Sequence, residues 1–327
     1  MLDDHVHVVD RYDMPTEVDR DVVYHLMPKD PSHAYYAERV DRNIGWITDE
    51  EQSLLYRSRI GIAGCGGMGG RLAEIFLRLG VGELCIADSE PFDVSNINRQ
   101  LAATRSTVGK SKATETAHHL RAITDDTTLV VYPRGIEPNM VARFVRGCTA
   151  ICDEIEFWCV GARILLHRTA REHGVPVFVA NTVGFGSHAF LFTPGSMTME
   201  ECLGFTYEEA VEVEHRIAHR VATRCEIARV MNAVTRGLFP EWREYCGRQT
   251  PLKNRVFIER RLIQEQKGPI IATNPPFACG FLADRMVLYL LRNSPIERAI
   301  VPFPEMPGYL YLDAATLEAK RVAEKWW

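Results

Sequence analysis

A glycine-rich segment that directly follows a short apolar run restricts the fold of this chain more than any other feature. Residues 59–63 (RIGIA) have the composition of a buried strand, and they continue without a linker into residues 64–69 (GCGGMG) and a helical pattern. Glycines in this spacing permit a tight turn and a close backbone approach to phosphate, while the N–H groups at the helix start favour an anion. The segment therefore predicts a βα unit with a phosphate-binding loop formed by Gly64, Gly66, Gly67 and Gly69.

Beyond this loop, short β-rich runs alternate with helical patterns. Strands are predicted at residues 59–65, 84–88, 128–132, 149–153, 176–180 and 189–192. Such alternation favours an α/β fold, with a Rossmann-like, mostly parallel sheet and helices on both faces. The predicted organisation is an N-terminal arm (1–36), a main domain (37–195), a helical insertion (196–268) and a closing helix and strand that return to the main domain (269–327).

The helical insertion is predicted to contain one long helix over residues 206–238. Thr206 and Glu209 have the spacing of a capping box, and apolar residues recur behind them at helical intervals. Charged helix is expected to continue to about Gln266, with a break at Pro240. A last helix at 277–291 and a strand at 309–312 are expected to rejoin the sheet.

The residues after the second predicted strand separate two classes of nucleotide-binding protein. Asp88 lies 19 residues beyond Gly69, where a carboxylate accepts hydrogen bonds from ribose hydroxyls, and this fits an NAD- or FAD-dependent oxidoreductase equally well. Arg99 and Lys112 follow, and two cations can neutralise the charge of a triphosphate, which a dinucleotide lacks. The pair therefore favours ATP.

Four motifs together resemble the family of ubiquitin-activating-like adenylyltransferases of the ThiF/MoeB type, which activate sulfur carriers for thiamine and molybdopterin. They are G-x-G-G-x-G at 64–69, D-x-E at 88–90, S-N-I-N-R-Q at 95–100 and G-K-S-K at 109–112. The resemblance covers residues 37–195 and, more weakly, residues 269–313. It implies that 37–195 is an ATP-binding adenylyltransferase domain, which converts a carboxylate to its acyl-AMP and releases pyrophosphate.

The resemblance also implies roles for individual residues in the nucleotide site. Asp88 would hold the ribose, with Glu90 beside it. Asn96 and Arg99 would line the ATP phosphates, and Lys112 would contact the phosphates and the charge that develops during adenylyl transfer.

A further arginine, Arg42, resembles the N-terminal arginine of the family. In homodimeric members this arginine reaches the ATP of the neighbouring subunit, so a homodimer with a composite site is implied. Arg99, Lys112 and Arg42 are thus the residues expected to act in catalysis. The chemistry needs positioning and charge neutralisation rather than a protein nucleophile.

The chain departs from the family pattern at the expected metal site. The family has D-x-x-D after the fourth strand, whereas residues 153–156 of this chain are DEIE. A carboxylate with one more methylene still reaches a hydrated Mg²⁺ ion. Glu156 is therefore the residue expected to lie near magnesium.

A second departure concerns the cysteines. The zinc-binding C-x-x-C pairs of the family are missing among the nine cysteines, so no zinc is expected, and no cysteine precedes the closing helix where the thioester or persulfide cysteine normally lies. Cys202 is the nearest candidate nucleophile, although a cysteine among apolar helix residues is more often packed than reactive. The reaction is expected to stop at the acyl-adenylate, which another nucleophile captures.

Composition limits the partners and the compartment. A net charge of −5 and a pI near 6.1 provide no general attraction to nucleic acid or to an anionic membrane. The first residues have neither a basic region nor an apolar core of a signal peptide, and no apolar stretch is long enough to span a bilayer. A cytoplasmic protein is expected.

The acceptor is expected to be the C-terminus of a small protein or peptide, with a small carboxylic acid as the alternative. The glycine-rich segment 181–186 follows the fifth predicted strand, at the sheet edge where substrates approach, and is a candidate for the acceptor channel. Two other functions stay open at this point: a non-catalytic nucleotide-binding partner subunit of the same family, and an NAD- or FAD-dependent oxidoreductase.

Overall fold

The computed structural model describes residues 6–29, 32–242 and 260–323, and these form one mixed ten-stranded sheet with helices on both faces. The sheet order is β1-β2-β5-β4-β3-β6-β7-β8-β9-β10. The strands are β1 (His7–Arg11), β2 (Val22–Leu26), β3 (Arg59–Ala63), β4 (Glu83–Ala87), β5 (Thr128–Tyr132), β6 (Ala150–Asp153), β7 (Val177–Val183), β8 (Gly186–Phe192), β9 (Tyr309–Asp313) and β10 (Glu318–Val322). The predicted α/β class and all six predicted strands of the main domain are confirmed.

The five central strands, in the order β5-β4-β3-β6-β7, run parallel. They are short, almost continuous apolar runs, because both of their faces are covered. The chain moves outward from β3 in one direction and then returns to place β6 on the other side of β3. This reversal opens a crevice at the carboxyl ends of β3 and β6, which is where ligands bind in open α/β sheets.

Helices cover the two faces of this sheet in separate groups. The helices are α1 (His33–Val40), α2 (Asp49–Tyr56), α3 (Gly69–Arg78), α4 (Lys112–Ile123), α5 (Val141–Val145), α6 (Val160–Glu172), α7 (Met199–Leu203), α8 (Tyr207–Ala218), α9 (Arg224–Leu238) and α10 (Asn274–Leu290). Apolar residues of α3, α4 and α10 pack on one face, and those of α5 to α9 pack on the other. No described helix is long and apolar enough to cross a membrane.

The predicted arm, residues 1–36, contributes two strands to the sheet. β2 pairs antiparallel with β5 and β1 pairs parallel with β2, and Val23 and Leu26 are fully buried. The sequence does not predict these two short strands, because Pro15 and the many charged residues of the segment are typical of loops.

The prediction of one continuous helix over 206–238 is wrong. The capping box of Thr206 and Glu209 is confirmed, but helix α8 ends at Ala218 and α9 begins only after Thr223. Thr223 and Glu226 form a second capping box, and Arg220 has φ = 57°, which no helix interior accommodates. The predicted charged helix falls largely on residues 243–259, which lie outside the described residues.

The predicted closing helix and strand are both present in the structure. The predicted helix at 277–291 is α10, which begins earlier, at Asn274. The predicted strand at 309–312 is β9, which pairs with β8 and with β10. The hairpin strand β10 was not predicted, because its sequence EAKRV carries three charges and lies at the sheet edge.

Candidate functional site

The glycine loop after β3 packs so tightly that two of its glycines leave no room for a side chain. Gly64 has φ = 98°, and a β-carbon there would lie 2.2 Å from the carbonyl oxygen of Glu154. A β-carbon on Gly69 would lie 1.7 Å from the carbonyl oxygen of Gly64. The loop therefore closes against the end of β6 on one side and against the start of α3 on the other, at the crevice between β3 and β6.

Asp88 follows β4 and fixes the loop from the neighbouring strand. Its carboxylate accepts hydrogen bonds from the backbone N–H groups of Cys65, at 2.7 Å, and Glu90, at 2.8 Å. Burial raises the pKa of Asp88 to about 6, against the opposing effect of the Lys112 ammonium. A carboxylate has about four acceptor positions, so two of them remain available to a ligand.

Lys112, the first residue of α4, points its ammonium group into the same region. Its Nζ atom lies 2.6 Å from the Glu90 carboxylate, and the Lys112 side chain is 7% exposed while that of Glu90 is 51% exposed. Burial alone would lower the pKa of Lys112, but the carboxylates of Asp88, Glu90 and Glu156 outweigh burial and raise it. The ammonium is therefore fully charged at neutral pH.

Arg99 lies over the opposite side of the loop. The β-carbon position of Gly67 is 3.5 Å from Cγ of Arg99, and the guanidinium donates to the Ser95 carbonyl at 3.1 Å and to the Asn98 side chain at 2.9 Å. Burial lowers the pKa of Arg99 while Glu156 opposes the shift, and a guanidinium remains charged in either case.

A single cleft of about 470 Å³ brings most of the predicted site residues together. Those that line it are Gly64, Gly66, Gly67, Asp88, Glu90, Arg99, Lys112 and Glu156. Gly69 lies beneath the loop as a packing residue.

Two predicted residues lie elsewhere. Asn96 is buried in the short 3-10 helix Val94–Asn96, where its side-chain oxygen accepts from the N–H of Asp93 at 2.9 Å. Arg42 is exposed in the 3-10 turn Asp41–Asn43, beside Trp46, which is 89% exposed. Neither residue is among those that line the cleft.

The structure adds residues to the wall of the cleft beside the glycine loop. Gly135 and Ile136 follow β5, and Gly135, with φ = 77°, lets this turn approach Ser89. Gln100 is buried in the cleft wall, and its Oε1 atom has no hydrogen-bond partner among the described residues. An orphaned acceptor beside the phosphate loop is suited to a ligand hydroxyl or a bound water.

The other end of the cleft lies against the helical insertion. Asn181 and Thr182 line it, as do Thr235, Phe239 and Trp242. Asn181 donates to the carbonyl of Leu238 at 3.3 Å, which fixes the end of α9 to the sheet. Two residues of the glycine-rich segment after the fifth predicted strand therefore reach the cleft.

The candidate nucleophile Cys202 is sealed inside the helical layer. Its side chain is fully buried, and a β-carbon on Gly237 would lie 2.7 Å from its sulfur. Burial raises the pKa of Cys202 to about 12, so the thiolate is not populated at neutral pH.

The donor set of the cleft fits a phosphate-bound magnesium ion. The described residues contain no group of three or more His, Cys, Asp or Glu side chains that could hold a metal on their own. Glu156 is exposed in the cleft, near enough to Arg99 and Lys112 to influence their pKa values. Magnesium in nucleotide sites is bound by one or two carboxylates together with substrate phosphates, and Glu156 can supply one of these.

The sheet is doubly wound and has a glycine loop at its reversal point. A carboxylate follows the next strand, and two cations lie above the loop. Together these features define a nucleotide-binding α/β protein. Residues 40–297 match the ThiF family, and the chain belongs to this family.

The chain is similar to two curated adenylyltransferases over part of its length. It is 29% identical over 154 residues to the sulfur carrier protein ThiS adenylyltransferase of Bacillus subtilis, covering 46% of this chain and 45% of that protein. It is 30% identical over 134 residues to the adenylyltransferase and sulfurtransferase MOCS3 of Mus musculus, covering 41% of this chain and 29% of that protein. The chain thus spans less than half the length of these relatives.

Several solved structures match the fold over nearly the whole chain. The crystal structure of PaaA superposes with a TM-score of 0.57, covering 90% of this chain and 75% of that chain at 15% identity. At this identity the match describes the fold alone.

Proposed function

We propose that this protein catalyses the ATP-dependent adenylylation of a carboxylate, giving an acyl-AMP and pyrophosphate. The observation that carries the proposal is the convergence of Arg99 and Lys112 on the glycine loop at 64–69, in one cleft with Asp88. A dinucleotide offers no third phosphate for such a pair of cations, whereas ATP does.

Different residues of the cleft bind the ribose, bind the phosphates and stabilise the charge that develops in the reaction. Asp88 accepts the ribose hydroxyls, and the loop N–H groups hold the phosphates. A carboxylate oxygen of the acceptor forms a bond to the α-phosphorus, the bond from that phosphorus to the bridging oxygen breaks, and pyrophosphate leaves with the electron pair. Arg99 and Lys112 stabilise the negative charge that develops on the phosphate oxygens. Magnesium, held by Glu156 and the phosphates, would neutralise further phosphate charge when bound.

The acceptor is proposed to be the C-terminus of a small protein or peptide. Relatives of this chain include an adenylyltransferase of a sulfur carrier protein. The far end of the cleft is lined by Asn181, Phe239 and Trp242, which supply apolar surface beside one amide side chain for an extended chain end. A small carboxylic acid is the alternative occupant of the same space.

The protein is further proposed to act as a homodimer with a composite site. Arg42 is exposed and lies outside the cleft of its own subunit, so it is free to reach a neighbouring one. The highly exposed Trp46 next to it is the kind of aromatic residue that interfaces bury.

The experiment is carboxylate-dependent exchange of radiolabelled pyrophosphate into ATP, with peptide C-termini and small acids as separate arms. Exchange that depends on an added carboxylate supports the proposal. ATP binding without exchange in any arm would identify a non-catalytic nucleotide-binding subunit instead. A dinucleotide that copurifies, with no stabilisation by ATP, would identify an oxidoreductase.

A further inference from the structure

A buried ion cluster lies directly behind the catalytic cleft, between the sheet and helix α6. Asp153 ends β6, and its Oδ2 atom lies 2.9 Å from Nε of Arg163 and 2.9 Å from Nε2 of His167. All three side chains are buried, and neither Arg163 nor Asp153 is among the residues that line the cleft. Burial would raise the pKa of Asp153, but Arg163 and His167 outweigh it and lower the pKa, so the carboxylate is charged.

This cluster holds the backbone turn that follows β6. The second oxygen of Asp153 accepts from the N–H of Ile155 at 3.1 Å, and Nη2 of Arg163 donates to the carbonyl of Ile155. Arg163 thus bridges the two ends of the turn with one planar side chain.

The same turn meets the nucleotide site at two points. The carbonyl of Glu154 is the group against which Gly64 packs, and the N–H of Glu154 donates to the carbonyl of Ala63 at 2.8 Å. One residue beyond Ile155, Glu156 enters the cleft that holds Arg99 and Lys112. A shift of the turn therefore moves the phosphate loop and the expected metal carboxylate together.

Helix α6 carries both basic residues, and contacts with Glu214 and Phe192 hold the helix in place. The Glu214 carboxylate accepts from the N–H groups of Gly161, at 2.6 Å, and Ala162, at 3.1 Å, at the start of the helix. The ring of His167 packs edge-on against Phe192 of β8, with centroids 4.6 Å apart. The cluster therefore has a rigid support on both sides.

We infer that Arg163 and His167 are positioning residues, which act through Asp153 and Ile155 to hold Glu156 and the loop at Gly64 in the geometry for Mg·ATP. This rests on the proposed function. A buried ion pair contributes little to the stability of a fold, because apolar side chains of similar volume stabilise it equally well. An apolar side chain at position 163, however, would not hold the Ile155 carbonyl.

The test uses Arg163→Lys, which keeps the charge but loses the planar bridge, and His167→Gln, which keeps a donor near Asp153. Arg168→Lys is the control, because Arg168 lies on the same helix but forms an exposed ion pair with Glu200. For each variant, pyrophosphate exchange, the half-saturating Mg²⁺ concentration and equilibrium binding of ATP with and without Mg²⁺ are measured, together with the melting temperature.

Arg163→Lys and His167→Gln are expected to lower exchange and weaken Mg²⁺-dependent ATP binding by about 10- to 100-fold, as the loss of residues that orient metal ligands does. Metal-independent ATP binding should weaken less than Mg²⁺-dependent binding, because it loses only the positioning of the loop and not that of Glu156, and the control should change little. Wild-type Mg²⁺ dependence in both variants, or a loss of activity that matches the loss of folded protein, would overturn the inference. If Arg163→Lys does not fold, the Mg²⁺ dependence of His167→Gln alone tests the inference. Wild-type protein without exchange would contradict the proposed function instead.

Discussion

The ammonium of Lys112 lies 2.6 Å from the Glu90 carboxylate, and the lysine is almost fully buried while the glutamate is half exposed. The glutamate can therefore be solvated when the lysine turns to a phosphate, and no buried charge is left unpaired. This difference in exposure between Lys112 and Glu90 is what we expect of a cation that binds a ligand rather than stabilises the fold.

We predict that Lys112→Ala and Arg99→Ala each lower pyrophosphate exchange by about 10²- to 10³-fold, the usual effect of removing one group that stabilises transition-state charge. The fold should survive, since Glu90 remains solvated. Lys110→Ala is the matched control, because Lys110 is an exposed residue whose ammonium lies 4.0 Å from the Glu115 carboxylate. Wild-type exchange in the Lys112 variant would exclude a catalytic role for this residue.

Asp88 should make ATP binding depend on pH. Its pKa of about 6 lies above its usual 3.8, and the ionised form is the one that accepts two ribose hydrogen bonds, so ATP affinity should rise as the pH increases through about 6. The folded state holds this proton more tightly than the unfolded chain, so the contribution of Asp88 to the free energy of unfolding falls between about pH 4 and pH 6. Titration of ATP binding and of denaturant unfolding in wild type and Asp88→Asn checks both trends, which should be missing in the variant.

Two glycines with positive φ should respond differently to alanine. At Gly64 a β-carbon would collide with the Glu154 carbonyl, whereas Gly109, with φ = 86°, has nothing within 4 Å of that position. Gly109→Ala should cost only the backbone strain of about 1–2 kcal/mol in the free energy of unfolding. Gly64→Ala should cost more and also abolish ATP binding. Equal losses in the two variants would show that the packing of the loop against β6 does not matter.

Cys202 is predicted not to capture the activated acyl group. A thiol reagent should label the exposed Cys225 in the native protein and leave Cys202 unmodified until the protein unfolds. Cys202→Ala should retain exchange. Cys159 lines the cleft, but burial raises its pKa well above the usual range, so it too is a poor nucleophile. An acyl thioester on Cys202 would contradict this prediction.

A composite site can be tested by mixing inactive variants. Arg42→Ala and Lys112→Ala should each lack exchange, but their heterodimer contains one site with both residues intact. Random pairing then restores about a quarter of wild-type exchange. If each subunit uses its own Arg42, mixing restores nothing. If the protein is a monomer, sedimentation shows it directly.

The sequence predicts the centre of the fold well, because the loop at 64–69 and the buried parallel strands depend on local composition. It predicts the periphery less well. Strand β2 pairs with β5 and strand β1 pairs with β2, and no local pattern in residues 7–26 reveals these pairings. The break between α8 and α9 has a signal, the box of Thr223 and Glu226, but apolar periodicity on both sides conceals it.

The candidate site likewise contains some residues that the sequence predicts and others that it does not. Asp88, Arg99 and Lys112 could be predicted because each follows a strand or loop with a recognisable motif. Gly135, Ile136 and Phe239 reach the cleft only because β5 and α9 end beside it in three dimensions. The ion cluster of Asp153, Arg163 and His167 likewise depends on how α6 packs on β6, which residue spacing alone does not specify.

The most direct test of the central claim is the fate of the acceptor oxygen. The protein is incubated with Mg·ATP and a peptide whose C-terminal carboxylate carries ¹⁸O at both oxygens. The adenylate is cleaved at its acyl carbon with hydroxylamine, and the released AMP is analysed by mass spectrometry. The account predicts AMP that contains one ¹⁸O atom, with none from the Lys112→Ala variant. Unlabelled AMP, or ADP in its place, would contradict adenylylation of a carboxylate.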